Sequence, residues 1–567
     1  MARGRWSWVL LVVGLMVCGV VAYGASSLAA FSWDQVVSYR SPYAAEPLKE
    51  TGPPPAPPLA GRVVLVIVDG MRDDITRSGM PSIDRLRQYG TDVVLETAQP
   101  SLSYPNWTTI LTGAPQTLTG VTTNWWEGRV PVPTLIDQAL AAQLRVAVVG
   151  PTDFADLYGV KKGPLVSLRD WPEGGYLSST LVDDALRISR ASSPELLVMH
   201  LPDLDEAGHD FGGTSAQYRD VAGRIDADLG RLITALQSDD TVFVITSDHG
   251  HIATGGHGGW EPEVVRVPLI VSGAGVRLGR DQSTGTQDQV AATVAVLAGI
   301  SPPAFAYGGS VRSALLTDAP SVFAAEDAQR IALLNRIGSV IGGGGLSRED
   351  RQSVVRAQAT DDSRRQMRLT LERATRVRDS LIIVGVAVLV LVSVALASWR
   401  AFVSTLAGCA AYYVVYNLSF FIVHGYRWSL SAFNTEEYLS TFFNMRMVET
   451  VIAGLVGVAV AAVVYPYLRR SAKGPRVRGY LGGWLALAPA TTLVIMATLA
   501  VQVAWFLWAY GARIVWTLPD FKWAFKYDLD LIQMTALAGT ALLGTVVSYA
   551  VGRYHPRVRT KDSQTAS

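Results

Sequence analysis

Only two cysteines, Cys18 and Cys409, occur in the 567 residues of this chain. Both lie inside apolar stretches, which leaves no disulfide framework and no thiolate metal site. Histidine is nearly as scarce, with seven residues. Charge is sparse too: 17% of residues are acidic or basic, and the net charge is +1. Nothing in so balanced a chain points to a nucleic-acid partner. A mean hydropathy of +0.24 is high for a soluble protein. The length exceeds what one ordinary core accommodates, so at least two domains are expected. There is no internal repeat.

Long apolar runs are what the chain has in quantity. Residues 6–30 follow Arg3 and Arg5 and are long enough to span a bilayer. A signal peptide is the competing reading, with "SLAA" as a cleavage site, but the run exceeds the usual signal core and favours an anchor over 1–30. Further runs fall at 381–399, 401–423, 448–468, 481–510 and 531–552, a five-span region over 381–552. Five in succession, almost free of charge, argue against buried helices of a soluble protein. The basic segments "RRSAKGPRVRGY" (469–480) and "GRYHPRVRTK" (552–561, within a tail over 553–567), with Arg400, Arg3 and Arg5, read as cytoplasmic. Residues 31–380 then lie outside, and the expectation is a multi-pass protein of the cell membrane with an extracytoplasmic catalytic domain. "RRQMRLTLERATRVR" (364–378) falls outside by this count and reads as a helix on lipid headgroups or a solvated helix face.

Residues 31–61 are a proline-rich linker, predicted to be semi-extended and to hold the next domain off the membrane. From Arg62 the pattern alternates. Nearly continuous apolar runs at 62–68, 144–150, 195–201, 241–247 and 267–273 suit strands buried on both faces, with helical patterns between them. The fold class expected for 62–320 is α/β, a parallel sheet with helices on both faces, beside an all-α multi-span transmembrane region. Residues 321–380 read as a helical juxtamembrane segment with a glycine break at 342–345.

Ligands of such sheets bind beyond the carboxyl ends of the strands. There the chain places Asp69, then "PDLDEAGH" with Asp205 and His209, then Asp248 and His249 opening "DHGHIATGGHGG", which also holds His257. Carboxylates and imidazoles without thiolate suit catalytic rather than structural zinc. Six donors are too many for one tetrahedral ion with an open position and match two ions with three protein ligands each. Two such ions clamp the attacking and leaving oxygens of a phosphoryl transfer. An Asp after a strand is also a common turn or cap residue; it is the combination that points to metal. His251 reads as a neighbour of the ligands or solvent-facing, and His200 as a buried structural histidine. Ser103, in "PSLSYPNWTTILTG", is either a helix-capping hydroxyl or a nucleophile.

The pieces "VIVDGMR", "MPSIDRLRQYGT", "PSLSYPNWTTILTG", "LDEAGHDFG" and "ITSDHGHIATGGHGG" resemble the alkaline phosphatase superfamily over roughly residues 62–275. The nearest branch looks like the nucleotide pyrophosphatase/phosphodiesterase group and its relatives, the glycosylphosphatidylinositol ethanolamine phosphate transferases. The resemblance implies one metal site at Asp69, Asp248 and His249 and a second at Asp205, His209 and His257. It aligns Ser103, also a metal contact, with the nucleophilic threonine of that branch and Asn106 with the residue that binds a phosphate oxygen. The implied cofactors are two divalent ions, zinc first and manganese as the alternative. The implied partners are a phosphodiester, nucleotide or phospholipid substrate and the lipid bilayer. The function expected is a phosphodiesterase or phosphoethanolamine-type phosphotransferase working through a phosphoserine. The alternatives are a sulfatase-like hydrolase, against which Trp107 stands where sulfatases carry arginine, and a lipid-handling membrane protein with a degenerate hydrolase domain. Trp107, Trp125, Trp126 and Trp260 read equally as packing or as a pocket lining.

Overall fold

The computed structural model describes residues 2–49, 52–171, 175–343, 361–469 and 485–554. Eight strands form one sheet: β1 (Arg62–Val68), β2 (Gly90–Glu96), β3 (Val146–Pro151), β4 (Val166–Arg169), β5 (Leu196–Leu201), β6 (Thr241–Thr246), β7 (Arg266–Gly273) and β8 (Gly279–Thr286). Their order is β4-β3-β5-β1-β6-β7-β2-β8. All five expected strands form. The sheet is mostly parallel, but β7 pairs antiparallel with both β6 and β2, a departure from the all-parallel expectation. An apolar run says that a strand is buried, not which way it points.

Residues of β1 show why the sheet sits at the centre. Val63, Leu65 and Ile67 enter one core with Trp107 and Ile110. Val64, Val66 and Val68 enter a second core on the other face, with Leu181 and Leu229. Successive side chains of a strand point to opposite faces, so the unbroken run "VVLVIV" is buried twice over and helices cover both sides. Val68 pairs with Leu201 and Ile67 with Thr246, both in parallel register. The carboxyl ends of β5, β1 and β6 therefore lie side by side on one rim.

Among the described residues, six helices are long and apolar enough to cross a membrane: Trp8–Val37, Arg373–Ala397, Trp399–Val423, Leu439–Pro466, Leu487–Tyr510 and Phe521–Tyr549. They match the expected runs with ends moved by several residues. Cys18 and Cys409 are free and buried among them. The segments 470–484 and 555–567, which carry much of the basic sequence used for orientation, lie outside the described residues. So do the second half of the glycine run 342–345 and the residues that follow it to 360.

Two segments pack more tightly than their composition suggested. The expected spacer lies against the sheet domain: Tyr39 Oη and Ser41 Oγ both donate to the Thr117 carbonyl at 3.0 Å, and buried Tyr43 donates to the Trp516 carbonyl at 3.0 Å. The basic helix Asp361–Leu371 buries Arg364 and Arg368, while Gln366, Thr370 and Leu371 stay exposed. Arg364 is fully buried near the Tyr43 and Tyr307 rings, and Arg368 donates to the Arg513 carbonyl at 2.7 Å. These guanidinium groups satisfy carbonyls and aromatic faces at the junction between the sheet domain and the apolar helices.

Candidate metal centre and nucleophile

Asp69 directly follows β1, and Asp248 and His249 follow β6 after one serine. The helix Asp203–Phe211 follows β5 and carries Asp205 and His209 one turn apart, so both face the same way. Gly70 turns the chain after Asp69 with φ +67°; a Cβ there would lie 2.8 Å from Asp205 Cα. Only glycine lets these two segments approach so closely.

Ser103 is the first residue of the helix Ser103–Thr112; the capping position is Leu102, which makes no side-chain cap. The Ser103 hydroxyl instead stands 3.3 Å from His249 Nε2. That nitrogen is 3.4 Å from Asp69 Oδ1, 3.3 Å from Asp248 Oδ2 and 4.0 Å from Asp205 Oδ1. Hydroxyl, imidazole and three carboxylates converge on one point.

Among the described residues, three groups of side chains have donor atoms close enough to share an ion. One is Asp69, Asp248 and His249, as expected. The other two both contain Asp205, one with His249 and His257 and one with His209 and His251. The second expected set is thus gathered around Asp205, at 3.3 Å from His209 Nε2 and 3.8 Å from His257 Nε2, with His251 drawn in as well.

Ring orientation separates ligand candidates from supports. A ring nitrogen facing a carbonyl oxygen carries the hydrogen, leaving a lone pair on the other nitrogen. His249 Nδ1 faces the Gly250 carbonyl at 3.3 Å, His257 Nδ1 the Ser101 carbonyl at 3.0 Å, and His209 Nδ1 the Asn434 Oδ1 at 3.1 Å. Each therefore turns an Nε2 lone pair inward. His251 is the reverse: its Nδ1 accepts from the Gly256 N–H at 3.2 Å, so Nε2–H donates to Asp205 Oδ1 at 2.6 Å. It is fully buried, which excludes the solvent-facing alternative. His200 is likewise buried and donates to Asp69 Oδ2 at 2.9 Å; burial holds its pKa down to about 3, so it donates as a neutral ring.

Burial, then the charges of Asp248 and Asp205, push the Asp69 carboxyl well above the usual carboxylate range. Burial raises Asp248 as well. Burial opposes the charge of Asp205 too, but His209 and His251 outweigh it and hold this carboxyl well below its usual range. Asp69 Oδ1 is buried and makes no hydrogen bond. An orphaned carboxylate oxygen 3.4 Å from His249 Nε2, in a side chain grouped with Asp248 and His249, fits a cation. The donor set, all oxygen and nitrogen, suits zinc or manganese.

Two supporting residues, Gln287 and Arg72, escaped the sequence reading, and a third, Trp107, was read there only as packing or a pocket lining. The Trp107 indole donates to Asp248 Oδ2 at 2.8 Å, so this tryptophan is neither a pocket lining nor mere packing. Gln287 Nε2 donates to the Ser247 and Asp248 carbonyls at 3.0 and 2.8 Å. Arg72 Nη1 donates to the His251 carbonyl at 2.7 Å. Asn106 is fully buried; its amide donates to the Asp248 carbonyl at 2.9 Å and its Oδ1 accepts from Gln116 at 2.8 Å. Trp126 lies under the Arg40 guanidinium, and exposed Trp125 packs edge-on against Trp33. Beside Ser103, Tyr104 and Trp126 with Glu127, Asp153 and Asp156 line a cleft of about 330 Å³.

Residues 63–134 and 165–261 match the family of type I phosphodiesterases and nucleotide pyrophosphatases. All eight candidate site residues fall within the matched stretches. The chain is 27% identical over 274 residues to the human GPI ethanolamine phosphate transferase 2, catalytic subunit, a match covering 44% of this chain and 28% of that protein. It is 27% identical over 274 residues to GPI ethanolamine phosphate transferase 1 of Aspergillus fumigatus, covering 39% of this chain and 26% of the relative. The chain thus spans about a quarter of the length of these relatives. Among solved structures, it is similar to the wild-type alkaline phosphatase PafA (TM-score 0.39, 13% identity, 46% of this chain and 100% of that one). It is also similar to murine ectonucleotide pyrophosphatase/phosphodiesterase 5 (TM-score 0.38, 14% identity, 42% and 96%). The resemblance drawn from the motifs stands.

Proposed function

We propose that this chain is a multi-pass membrane enzyme that transfers a phosphoethanolamine-type group from a phosphodiester, through a phosphoserine on Ser103. The observation that carries this reading is the Ser103 hydroxyl 3.3 Å from His249 Nε2, at the convergence of Asp69 and Asp248. A helix-starting serine with no metal-type neighbours would support no such reading.

Asp69, Asp248 and His249 would hold one divalent ion, and Asp205, His209 and His257 the other; bound there, the pair lowers the pKa of a nearby hydroxyl and neutralises charge on phosphate oxygens. Ser103 Oγ attacks phosphorus, a P–O bond to the leaving alcohol breaks, and that oxygen takes up a proton. A second hydroxyl then attacks and Ser103 leaves. An acceptor alcohol gives transfer, and water gives hydrolysis. The first N–H groups of the helix Ser103–Thr112 favour a phosphate oxygen at its start. Asn106 holds the Asp248 backbone in place, and Trp107 orients the Asp248 carboxylate. No arginine stands in the nucleophile stretch to grip a dianion in a fork, which favours diesters over monoesters.

The basic segments support an orientation with the sheet domain outside the cytoplasm. Counting spans from Arg400, the connections 424–438 and 511–520 fall on the same side as that domain. The contacts of Asn434 with His209 and of Trp516 with Tyr43 agree with this count.

The reading is tested on the full chain in vesicles containing phosphatidylethanolamine, with nitrophenyl mono- and diesters in parallel. Diester cleavage should exceed monoester cleavage by about tenfold or more, with diacylglycerol released from the lipid. A metal-loaded chain that prefers monoesters, or moves no phosphorus, would refute it. Trp107→Phe keeps the ring and deletes the donor to Asp248. Metal affinity should fall about 10–100-fold, read by titration, and an unchanged affinity would remove Trp107 from the account.

A further inference from the structure

The connection between the third and fourth membrane-length helices, residues 424–438, reaches into the candidate metal centre. Ser431 Oγ accepts from the Gly259 N–H at 3.1 Å and donates to Glu261 Oε2 at 3.0 Å; Ser429 Oγ donates to the same oxygen at 3.0 Å. Glu261 is only 2% exposed, so these two serines are what satisfies a buried carboxylate. The Trp260 indole donates to the Trp428 carbonyl at 2.9 Å. A Cβ on Gly256 would run into the Ser431 carbonyl and the Asn434 backbone. The turn carrying His257 is thus seated on this connection without a gap.

Asn434 goes furthest in. Its Oδ1 accepts from His209 Nδ1 at 3.1 Å, and its Nδ2 donates to the His209 carbonyl at 3.0 Å. One side chain grips both the ring and the backbone of one residue. Asn434 does so at φ +65°, a conformation that asparagine tolerates better than most residues. His249 and His257 are oriented by carbonyls of the sheet domain itself, whereas the partner of His209 comes from 225 residues away.

We infer that the 424–438 connection is a built-in part of the metal centre and that Asn434 is its positioning residue. An acceptor on Nδ1 fixes the tautomer and ring direction of a ligating histidine and raises the basicity of Nε2. Asn434 does this for His209. The membrane region therefore completes the site rather than only anchoring it, and a sheet domain cut free of it lacks the His209 partner. This inference rests on the proposed role of His209 as a ligand.

The test is zinc titration of the full chain in lipid nanodiscs, for the wild type, Asn434→Gly and Asn434→Asp. Glycine keeps the left-handed backbone and deletes the amide; aspartate keeps the acceptor and strengthens it with charge. The wild type should bind two ions. Asn434→Gly should bind one of them about 10–100-fold more weakly and leave the other unchanged. Asn434→Asp should match or exceed wild-type affinity, an outcome that a merely structural role does not produce and that stands even if the glycine variant fails to fold. Unchanged affinities in Asn434→Gly, equal weakening at both sites, or an aspartate variant weaker than wild type would each overturn the inference. A wild type that binds no ion would instead sink the proposed function beneath it.

Discussion

Ser103→Ala is expected to lower turnover by a factor on the order of 10³–10⁶ while leaving metal content and melting temperature near wild type. The two readings of this serine make opposite forecasts. A capping hydroxyl would cost about 1 kcal/mol of stability when removed and leave chemistry intact. The structure gives the cap position to Leu102 and points Ser103 Oγ at His249, so stability should hold and chemistry should fail. Trapping sharpens the result. Brief exposure to a labelled diester followed by acid quench should leave phosphate on Ser103 in the wild type and none in the variant. A variant that keeps wild-type turnover would mean that an acceptor attacks phosphorus directly, with no covalent step.

Stripping divalent ions from the full chain should abolish activity and lower the melting temperature, both restored by zinc or manganese. An ion present at about a thousand times its dissociation constant stabilises by roughly 4 kcal/mol per site. The chelated state is also penalised electrostatically, because Asp69 and Asp248 are crowded, buried carboxyls shifted above their ordinary range. With folded-state values raised, their contribution to stability is fully present below the ordinary value of 3.8 and is lost as pH rises through the shifted values. Cation binding offsets that loss and competes with protons below it. The gap in melting temperature between loaded and stripped protein should therefore widen from acid towards neutral pH. A gap independent of pH, or a stripped chain of full activity, would contradict the two-ion account.

Much of this molecule could be read from its residues, and the exceptions have physical causes. β1, β5 and β6 were legible because strands buried on both faces carry continuous apolar runs. The direction of β7 was not, since an apolar run has no polarity. β8, "GRDQSTGT", is a polar edge strand, and β4 is four residues long; neither carries a pattern. At the site, Asp69, Asp205, His209, Asp248, His249 and His257 stood out because donors of one chemistry recur at strand ends. Trp107 was visible but ambiguous, since an indole serves equally as packing and as a donor. The seating of Tyr39, Ser41, Tyr43 and Arg364 depends on distant carbonyls and rings that no local pattern encodes. Asn434 left no trace, because its meaning exists only once two segments far apart in sequence have met.

The central claim is that two divalent ions lie within reach of Ser103 at the rim of the sheet. Anomalous diffraction at the zinc edge, from crystals of the full chain grown with zinc, tests it most directly. Two peaks roughly 4 Å apart are expected, one beside Asp69, Asp248 and His249 and the other beside Asp205, His209 and His257. A single peak, or two peaks away from the Ser103 hydroxyl, would contradict it.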